Sequence, residues 1–386
     1  MDSTVSMNHC SHGLDVNRTN LLSLLNEERA RALVPAMVLI SLLMVVGIVG
    51  NTLVCIIFCR KLEQNTQTFL FIWLAVFDLV SCCVGMPSEI VDMRLYYMFD
   101  NVVACKIIRF FLTFPTVSSN ITLLVIAIHR FRKVCRPLQP QISTKVARVC
   151  IATAVFAGVV FSIPTLFIYG KRSTPTRIAG VVGSDCSVSD YYQKKSYPLV
   201  YELCLATAFV VFTVTLIVLY LRIWKTIKRH NKYMRKHTAQ ALNVLLGNRE
   251  DSLEIPSQSS SSLTPKSRSR LPSVTDAERG GHSLNYKARE LKTSNRSTVV
   301  AFLVTIVFVV SYLPHLSLII ARTVIKDFDL GLGGASLCAY NIFLRSFFVN
   351  SVANPIIYGF MNIEFRQECL QVVRKWFCWF KDVNSS

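Results

Sequence analysis

The chain has 386 residues, of which 52% are hydrophobic and 17% are charged, which is too apolar for a soluble protein unless much of its surface faces lipid. Lys and Arg outnumber Asp and Glu by 42 to 23, which gives a formal net charge of +19. These basic residues flank apolar runs, so we exclude nucleic acid as the partner and expect the charge to face anionic lipid.

Seven apolar runs are each long enough to cross a bilayer as a helix. They lie at about residues 34–58, 68–92, 104–128, 149–169, 198–221, 299–321 and 337–360. The residues before the first run lack the basic flank and small-residue cleavage site of a signal peptide, so we expect that run to act as an uncleaved signal. The sequence therefore predicts an all-α membrane protein, a bundle of seven transmembrane helices.

The distribution of Lys and Arg predicts which loops face the cytoplasm. If the N-terminus lies outside, the inner segments hold more than twice as many of these residues as the outer segments. Cytoplasmic loops of membrane proteins carry such an excess. We therefore expect a multi-pass plasma-membrane protein with an extracellular N-terminus at 1–33, the bundle at 34–360 and a cytoplasmic tail at 361–386.

The N-terminal segment contains one candidate modification site. Asn17-Arg18-Thr19 has the pattern of an N-glycosylation acceptor. Such triplets arise often by chance, but this one lies in a segment that we expect outside the cell. We therefore predict glycosylation of Asn17.

Polar residues occur at membrane depth in the second and seventh runs. Asp78 is ionisable, so its default interpretation is a functional group with a partner inside the bundle, and a structural hydrogen-bonding role is the alternative. The seventh run carries Asn350, Asn354 and Pro355. A proline there frees a backbone carbonyl and loosens the helix, as suits a bundle that changes shape.

Several motifs together resemble one receptor family. The motif Asn354-Pro355-Ile356-Ile357-Tyr358, followed by an amphipathic segment with Phe365, resembles the seventh helix and helix 8 of rhodopsin-like G-protein-coupled receptors. Asn51, Asp78 and the asparagines of the seventh run are similar to the polar core of that family. The order and spacing of the motifs agree from about residue 34 to residue 380.

Other motifs depart from the family's pattern. His129-Arg130-Phe131 stands where the family has Asp/Glu-Arg-Tyr, so only the arginine is retained. Ser311-Tyr312-Leu313-Pro314 stands for Cys-Trp-x-Pro, which puts Tyr312 at the toggle position. The fourth run lacks the usual tryptophan, and Phe212 lies about where the fifth run would carry a proline.

The resemblance implies a conformational switch and a disulfide. The switch residues are Arg130, Tyr220, Pro314, Asn354, Pro355 and Tyr358, with the two prolines as hinges. A disulfide is expected between Cys105, at the start of the third run, and Cys186 in the second outer loop. Cys10 and Cys338 either form a second bridge, as in chemokine-type receptors, or remain free thiols.

The resemblance also implies a cation site. Asp78, Ser119, Asn350 and Ser351 match positions that hold sodium in many family members. They offer one carboxylate and several neutral oxygens, a set that suits a hard cation. Alternatively, Asp78 only hydrogen-bonds to its neighbours. Apart from this structural sodium ion, we expect no cofactor.

Two cytoplasmic segments have distinct compositions. Residues 230–290 are rich in Ser and lack sustained apolar periodicity, which indicates a disordered loop. The segment 362–380 places Phe365 and Cys369 near one face beside basic residues, as suits a short amphipathic helix 8 on the inner leaflet. Cys369 and Cys378 are candidate palmitoylation sites, with inert thiols as the alternative.

The sequence excludes two ligand classes and favours a third. Leu112 stands where amine receptors carry an aspartate, so a monoamine lacks its counter-ion, and no Lys lies near the retinal-attachment position. The outer segments carry charge of both signs, which suits a peptide with polar anchors, although pairing among these charges is the alternative. The candidate ligand-binding residues are Glu89, Arg109, Leu112, Glu202, Tyr312, His315 and Arg345.

These observations predict a receptor and no enzyme activity. We expect an extracellular ligand, a (neuro)peptide, and a heterotrimeric G protein, with arrestin, receptor kinases and membrane lipid as further partners. The alternatives are a receptor for a lipid or other small molecule, an atypical seven-helix protein that does not couple to G protein, and a transporter. Transporters tend to show internal repeats, and we find none between the two halves.

Overall fold

The computed structural model describes nearly all of each predicted run. The described residues are 3–60, 65–250, 299–300, 302–322, 325, 328, 331–361, 365–372 and 374. In the first helix, the surroundings of side chains are described from residue 18 onward.

Helices account for most of the described chain. In chain order they are α1 (Ser3–Arg60), α2 (Thr66–Val80), α3 (Met86–Arg94), α4 (Val102–Cys135), α5 (Thr144–Ser162), α6 (Thr165–Ile168), α7 (Asp190–Gln193), α8 (Tyr197–Glu250), α9 (Phe302–Arg322), α10 (Gly334–Leu344), α11 (Phe348–Met361) and α12 (365–372). Among the described residues, 6 helical stretches are long and apolar enough to cross a membrane. The seventh predicted run is divided between α10 and α11, and α12 follows it. The predicted bundle with its additional helix is therefore confirmed.

Capping side chains determine where three of these helices begin. The Asn65 side chain accepts hydrogen bonds from backbone N–H groups in the first turn of α2. Asn101 does the same for α4 and Ser143 for α5. Each cap satisfies donors that the first helical turn leaves without a partner, so the local sequence is sufficient to start the helix there.

Two of the spans contain irregular turns. A single π-helical turn, Ser81–Gly85, joins α2 to α3. In the seventh run, Leu344 ends α10 and Phe348 starts α11, with a turn between them. Both interruptions lie toward the same end of the bundle, and they change the direction in which the following side chains point.

Helix α1 begins well before the predicted run at 34–58. Its early part packs on the rest of the protein, because Asn26 Nδ2 donates to the carbonyl of Arg94 at 3.1 Å and Asn26 Oδ1 accepts from the backbone N–H of Tyr97 at 3.0 Å. Leu33 is fully buried in an apolar cluster with Met86 of α3. The segment that we expected to precede the bundle therefore continues its first helix.

A β-hairpin lies between the fourth and fifth spans. β1 (Tyr169–Pro175) pairs antiparallel with β2 (Val182–Val188), and Lys171 stands opposite Cys186. The connection includes Gly180 at φ 83°, a left-handed conformation that favours glycine. The backbone N–H of Phe99 donates to the carbonyl of Ser184 at 3.0 Å, which holds the hairpin against the connection between α3 and α4.

The largest apolar cluster lies at the end of the bundle away from the hairpin. The ring of Tyr358 is 4.9 Å from that of Phe71 and 5.9 Å from that of Phe58, measured between centroids. Phe365 of α12 is buried and its ring lies 5.5 Å from that of Phe58. This contact holds α12 against the bundle, because the rings bury a continuous apolar surface.

Replacing Gly50 with alanine is expected to lower the free energy of unfolding by about 1–3 kcal/mol, the usual cost of overpacking. A Cβ at residue 50 would lie 2.7 Å from Cβ of Pro355, which cannot rotate away. The measurement is the midpoint of thermal unfolding in detergent. Gly359→Ala is the control, since no described atom lies within 4 Å of its added Cβ. Equal midpoints for the two variants contradict this close approach of α1 and α11.

Candidate functional site

We call the end of the bundle that carries β1 and β2 the hairpin end, and the opposite end the Arg130 end. A disulfide joins Cys105, in the first turn of α4, to Cys186 in β2, which confirms the predicted bond. Phe99 packs against both cysteines. The bond holds β2 across the hairpin end of the bundle.

Four buried or partly buried charges meet beneath this hairpin, and we call them the four-charge cluster. They are Glu89 and Asp92 of α3, Arg109 of α4 and Arg345 of the turn after α10. Arg345 Nε lies 2.6 Å from Glu89 Oε2, and its Nη2 lies 3.3 Å from Asp92 Oδ2. Arg109 Nη1 lies 3.3 Å from Glu89 Oε1, and its Nη2 lies 3.7 Å from Asp92 Oδ2. Two positive and two negative charges leave the cluster neutral.

The irregular turns of two spans place these charges. Glu89 and Asp92 follow the π-helical turn and are three residues apart, so they share one face of α3. Arg345 lies where the seventh run is interrupted, and its Nη1 donates to Asn341 Oδ1 at 2.5 Å. Buried charges are costly unless they are paired, so the turns and the pairing depend on each other. Our candidate set omitted Asp92, although its spacing from Glu89 could have indicated it.

Glu202 lies apart from the cluster and has a different partner. Its Oε1 accepts a hydrogen bond of 2.9 Å from the hydroxyl of Tyr169. Burial, and then the nearby carboxylate, raises the pKa of Tyr169 well above its ordinary value, so the phenol stays neutral and donates. Arg109 connects the two groups, because its guanidinium carbon lies 5.6 Å from the centroid of the Tyr169 ring.

The remaining ligand candidates are apolar or aromatic in their surroundings. The ring of Tyr312 lies 4.7 Å from that of Phe308 and 6.0 Å from that of Phe347. His315 Nδ1 is 2.5 Å from the carbonyl oxygen of Leu344. Leu112 packs against an apolar cluster, and its aliphatic side chain cannot form a hydrogen bond. The rings of Tyr312 and His315 both pack against that of Phe347, so these candidates belong to an aromatic layer.

A polar layer occupies the middle of the bundle. Asn354 Nδ2 donates to Asp78 Oδ2 at 2.7 Å, and Asn51 Nδ2 donates to the carbonyl of Ser351 at 2.9 Å. Within the described part of the chain, Ser119 Oγ and Asn350 Oδ1 are buried oxygens without a hydrogen-bond partner. One carboxylate beside neutral oxygens that still lack partners is a donor set that fits a hard cation.

The Arg130 end brings three of the expected switch residues into one cluster of buried side chains. Arg130 is 1% exposed, and Tyr220 and Tyr358 are buried with it at this end. Pro314 lies within α9 and Pro355 within α11, where each removes a backbone donor from its helix. Their positions fit the predicted hinges.

The other predicted cysteine and modification sites are only partly described. Cys338 is a free and buried cysteine among the described residues. Cys369 is half-buried, and burial raises the pKa of its thiol. Cys378 and the side chains of Cys10 and Asn17 lie outside the described residues.

Comparison with known proteins agrees with this arrangement. Residues 50–358 match the family model described as 7 transmembrane receptor (rhodopsin family). Neuromedin-U receptor 1 of Mus musculus is 26% identical over 371 residues, which cover 93% of this chain and 78% of that receptor.

Two further relatives carry related names. The Rattus norvegicus neuromedin-U receptor 1 is 24% identical over 366 residues, or 92% of this chain and 77% of its own length. The Mus musculus neuropeptide S receptor is 29% identical over 131 residues, or 34% of this chain and 35% of its own length. Since the family model spans most of the sequence, this chain belongs to the rhodopsin family of 7-transmembrane receptors, a family of receptors rather than enzymes.

Proposed function

We propose that this chain binds an extracellular peptide at its hairpin end and activates a heterotrimeric G protein at its Arg130 end. The observation that carries the ligand class is the four-charge cluster, which puts polar groups of both signs below the hairpin. Relatives that align with most of the chain are named for the peptide neuromedin U. A lipid would favour an apolar pocket, whereas a peptide can pair with both charge signs.

The orientation follows from two observations that support each other. Disulfides persist in oxidising compartments, and the disulfide joins Cys105 to Cys186 at the hairpin end. The excess of Lys and Arg lies in the segments at the opposite end. We therefore place the N-terminus outside the plasma membrane, where Asn17 is available for glycosylation, and Cys369 and Cys378 inside as palmitoylation sites.

Members of the four-charge cluster differ in their access to a ligand. The side chains of Glu89 and Arg345 are 6% and 5% exposed, while those of Asp92 and Arg109 are 18% and 23% exposed. The buried pair, Glu89 and Arg345, holds the helices together. The more accessible pair, Asp92 and Arg109, can exchange its contacts for contacts with a ligand. Glu202 adds a carboxylate whose hydrogen-bond donor is the neutral phenol of Tyr169, which suits a cationic ligand group.

The aromatic layer offers a path from the ligand to the opposite end. Tyr312 packs against the rings of Phe308 and Phe347, so a ligand that displaces it shifts side chains on α9 and in the turn before α11. A ligand shifts the population of states only through its different affinity for them. Pro314 and Pro355 provide the points at which these helices bend. Arg130, Tyr220 and Tyr358 then rearrange at the G-protein face.

Two linked measurements test this function. A peptide library is screened on cells that express the chain, and an active peptide is then tested for nucleotide exchange with purified receptor and G protein. Glu202→Gln should weaken the binding of a cationic peptide by about tenfold, as expected for the loss of a charged hydrogen bond. If a lipid activates the receptor and no peptide does, the proposed ligand class is wrong. If an agonist binds without stimulating nucleotide exchange, the proposed G-protein coupling is wrong. Receptor kinases and arrestin are further proposed partners.

Sodium is expected to weaken agonist affinity in the unmutated receptor, and Asp78→Asn is expected to abolish that effect. The ion would supply a positive charge held by Asp78, Ser119, Asn350 and Ser351. Of these, Ser119 Oγ and Asn350 Oδ1 are buried without a hydrogen-bond partner in the described part of the chain. The measurement is agonist affinity in sodium chloride and in choline chloride at equal ionic strength. Asn51→Ala is a control that alters the polar layer without removing its carboxylate. Affinity that does not change with sodium in the unmutated receptor contradicts the site.

A further inference from the structure

Three tyrosines meet at the hairpin end, where α8 begins, and we call them the tyrosine cluster. They are Tyr191 and Tyr192 of α7, and Tyr197, the first residue of α8. The rings of Tyr191 and Tyr192 have centroids 4.9 Å apart and lie at 88° to each other, and those of Tyr192 and Tyr197 are 6.5 Å apart at 80°. Rings at nearly right angles leave π faces free that a parallel stack would cover.

Hydrogen bonds hold the tyrosine cluster on the folded hairpin. Asp190, the first residue of α7, accepts from the backbone N–H of Ser173 in β1 at 3.0 Å and from the Ser173 hydroxyl at 2.7 Å. The backbone N–H of Tyr192 donates to the carbonyl of Ser189 at 2.9 Å. The acid next to the rings is therefore bound to β1, and the short helix that carries two of the rings is fixed in place.

The tyrosine cluster already holds a cation. Lys195 Nζ lies 3.5 Å from the centroid of the Tyr191 ring and 5.4 Å from that of the Tyr192 ring. The face of a tyrosine attracts a cation within about 6 Å of its centroid. Lys195 is exposed, and no carboxylate in the described part of the chain forms an ion pair with it. Its ammonium therefore marks a position at which these rings accept positive charge, and its exposed stem can turn away.

The position of the cluster is at the edge of the lipid-facing surface. The stretch of α8 that is long and apolar enough to cross a membrane begins at Tyr197. The next two turns expose Leu199, Val200 and Leu203, as suits contact with acyl chains. Tyr191 and Tyr197 are 69% and 66% exposed, and tyrosine is enriched at the level of lipid headgroups. The rings therefore face the layer in which headgroups lie.

A second cation at the same end has a closed site. The guanidinium carbon of Arg29 lies 5.8 Å from the centroid of the Tyr96 ring and 6.0 Å from that of the Tyr97 ring. Arg29 is 4% exposed and donates to the carbonyl of Leu332, so this contact is internal to the fold. The tyrosine cluster is open by comparison, and it can exchange its own cation for one from outside.

We propose that the tyrosine cluster binds the headgroup of phosphatidylcholine. The trimethylammonium group replaces the Lys195 ammonium on the rings, because aromatic faces recognise quaternary ammonium groups. Lys195 turns to pair with the lipid phosphate, so both charges of the zwitterionic headgroup have a partner. A glycerol headgroup lacks the cation, and an ethanolamine headgroup carries a compact ammonium that is strongly hydrated. The proposal goes beyond the proposed function and does not depend on it.

The test uses the full chain purified in detergent and needs neither agonist nor G protein. Phosphatidylcholine, phosphatidylethanolamine and phosphatidylglycerol with the same acyl chains are titrated, and native mass spectrometry measures the bound fraction. We expect phosphatidylcholine to bind most tightly. Tyr191→Leu should weaken its binding about tenfold, while Tyr191→Phe keeps the π face and should bind like the unmutated chain.

Matched variants separate this site from general attraction to lipid. Tyr233→Leu removes an exposed tyrosine from a later part of α8 and should leave phosphatidylcholine binding unchanged. Lys195→Gln should weaken the binding of all three lipids, since each has a phosphate. The midpoint of thermal unfolding shows that each variant is folded.

Four results overturn the proposal. They are equal affinity for phosphatidylcholine and phosphatidylglycerol, equal loss in Tyr191→Leu and Tyr233→Leu, equal binding by Tyr191→Leu and Tyr191→Phe, and stronger binding by Lys195→Gln. The last result would mean that the lysine only blocks the rings and has no part in holding the phosphate.

Discussion

Replacing Glu89 with alanine is expected to lower the free energy of unfolding by about 3–5 kcal/mol, the usual cost of removing one partner from a buried ion pair. The side chain is 6% exposed and faces Arg345 at 2.6 Å and Arg109 at 3.3 Å. Without it, Asp92 alone must balance two guanidinium groups. The measurement is the midpoint of thermal unfolding in detergent, together with the yield of folded receptor.

Glu27→Ala is the matched control for this substitution. It also breaks a Glu–Arg pair, but Glu27 and Arg94 are 43% and 50% exposed, so the expected cost is about 0–1 kcal/mol. The comparison therefore isolates the effect of burial. The double variant Glu89→Ala with Arg345→Met should be more stable than the sum of the single effects, because it leaves fewer unpaired charges. Additive effects, or an equal cost for Glu27→Ala, contradict the buried cluster.

Loss of the disulfide is the second large effect that we expect. Cys105→Ser should lower the free energy of unfolding by about 2–5 kcal/mol, by analogy with small secreted domains, because the disulfide constrains the unfolded chain. The two cysteines are 81 residues apart in sequence. The substitution also releases β2, whose Cys186 carbonyl accepts a hydrogen bond of 2.6 Å from Arg109 Nη2. The midpoint of thermal unfolding and the amount of receptor at the cell surface should both fall, and agonist binding should be lost.

Two comparisons make this prediction specific. The double variant Cys105→Ser with Cys186→Ser should match the single variant, since either substitution removes the same bond. Cys204→Ser replaces an exposed free cysteine and should leave stability unchanged. The backbone hydrogen bonds of Ser184, from Phe99 N–H and to the Tyr97 carbonyl, do not involve either cysteine, so we expect the hairpin to be loosened and not removed. Unfolding of Cys105→Ser at the midpoint of the unmutated protein would falsify the structural role of the bond.

The spans could be predicted because hydropathy is a local property. A run such as 104–128 contains its own apolar surface, and capping residues such as Asn101 and Ser143 lie next to the helices that they start. The β-hairpin was not predicted, because its strands are short and polar. They depend on a disulfide and on backbone hydrogen bonds from Ser184 to Tyr97 and Phe99. The interruption at Arg345 also has no local signal, since no glycine or proline lies in that turn.

The sequence predicted most residues of the candidate site but did not predict which of them pair with one another. Glu89, Arg109 and Arg345 were expected to anchor a ligand, with mutual pairing as the alternative. The structure pairs Glu89 with both arginines and adds Asp92 as a second acid. The contact from Arg345 to Asp92 spans 253 residues of sequence. Such a pair depends on how far each helix is rotated, which hydropathy does not specify.

The sequence by itself determined the membrane class, the number of spans, the family and, through the family resemblance, the Cys105–Cys186 bond. Each of these properties depends on local composition or on motifs whose order and spacing can be recognised in the sequence. Only the tertiary structure decided that Glu89 and Arg345 neutralise each other, and that Asn354 donates a hydrogen bond to Asp78. The physical reason is that the cost of a buried charge or polar atom depends on its partners, and helix packing brings those partners together from distant parts of the chain.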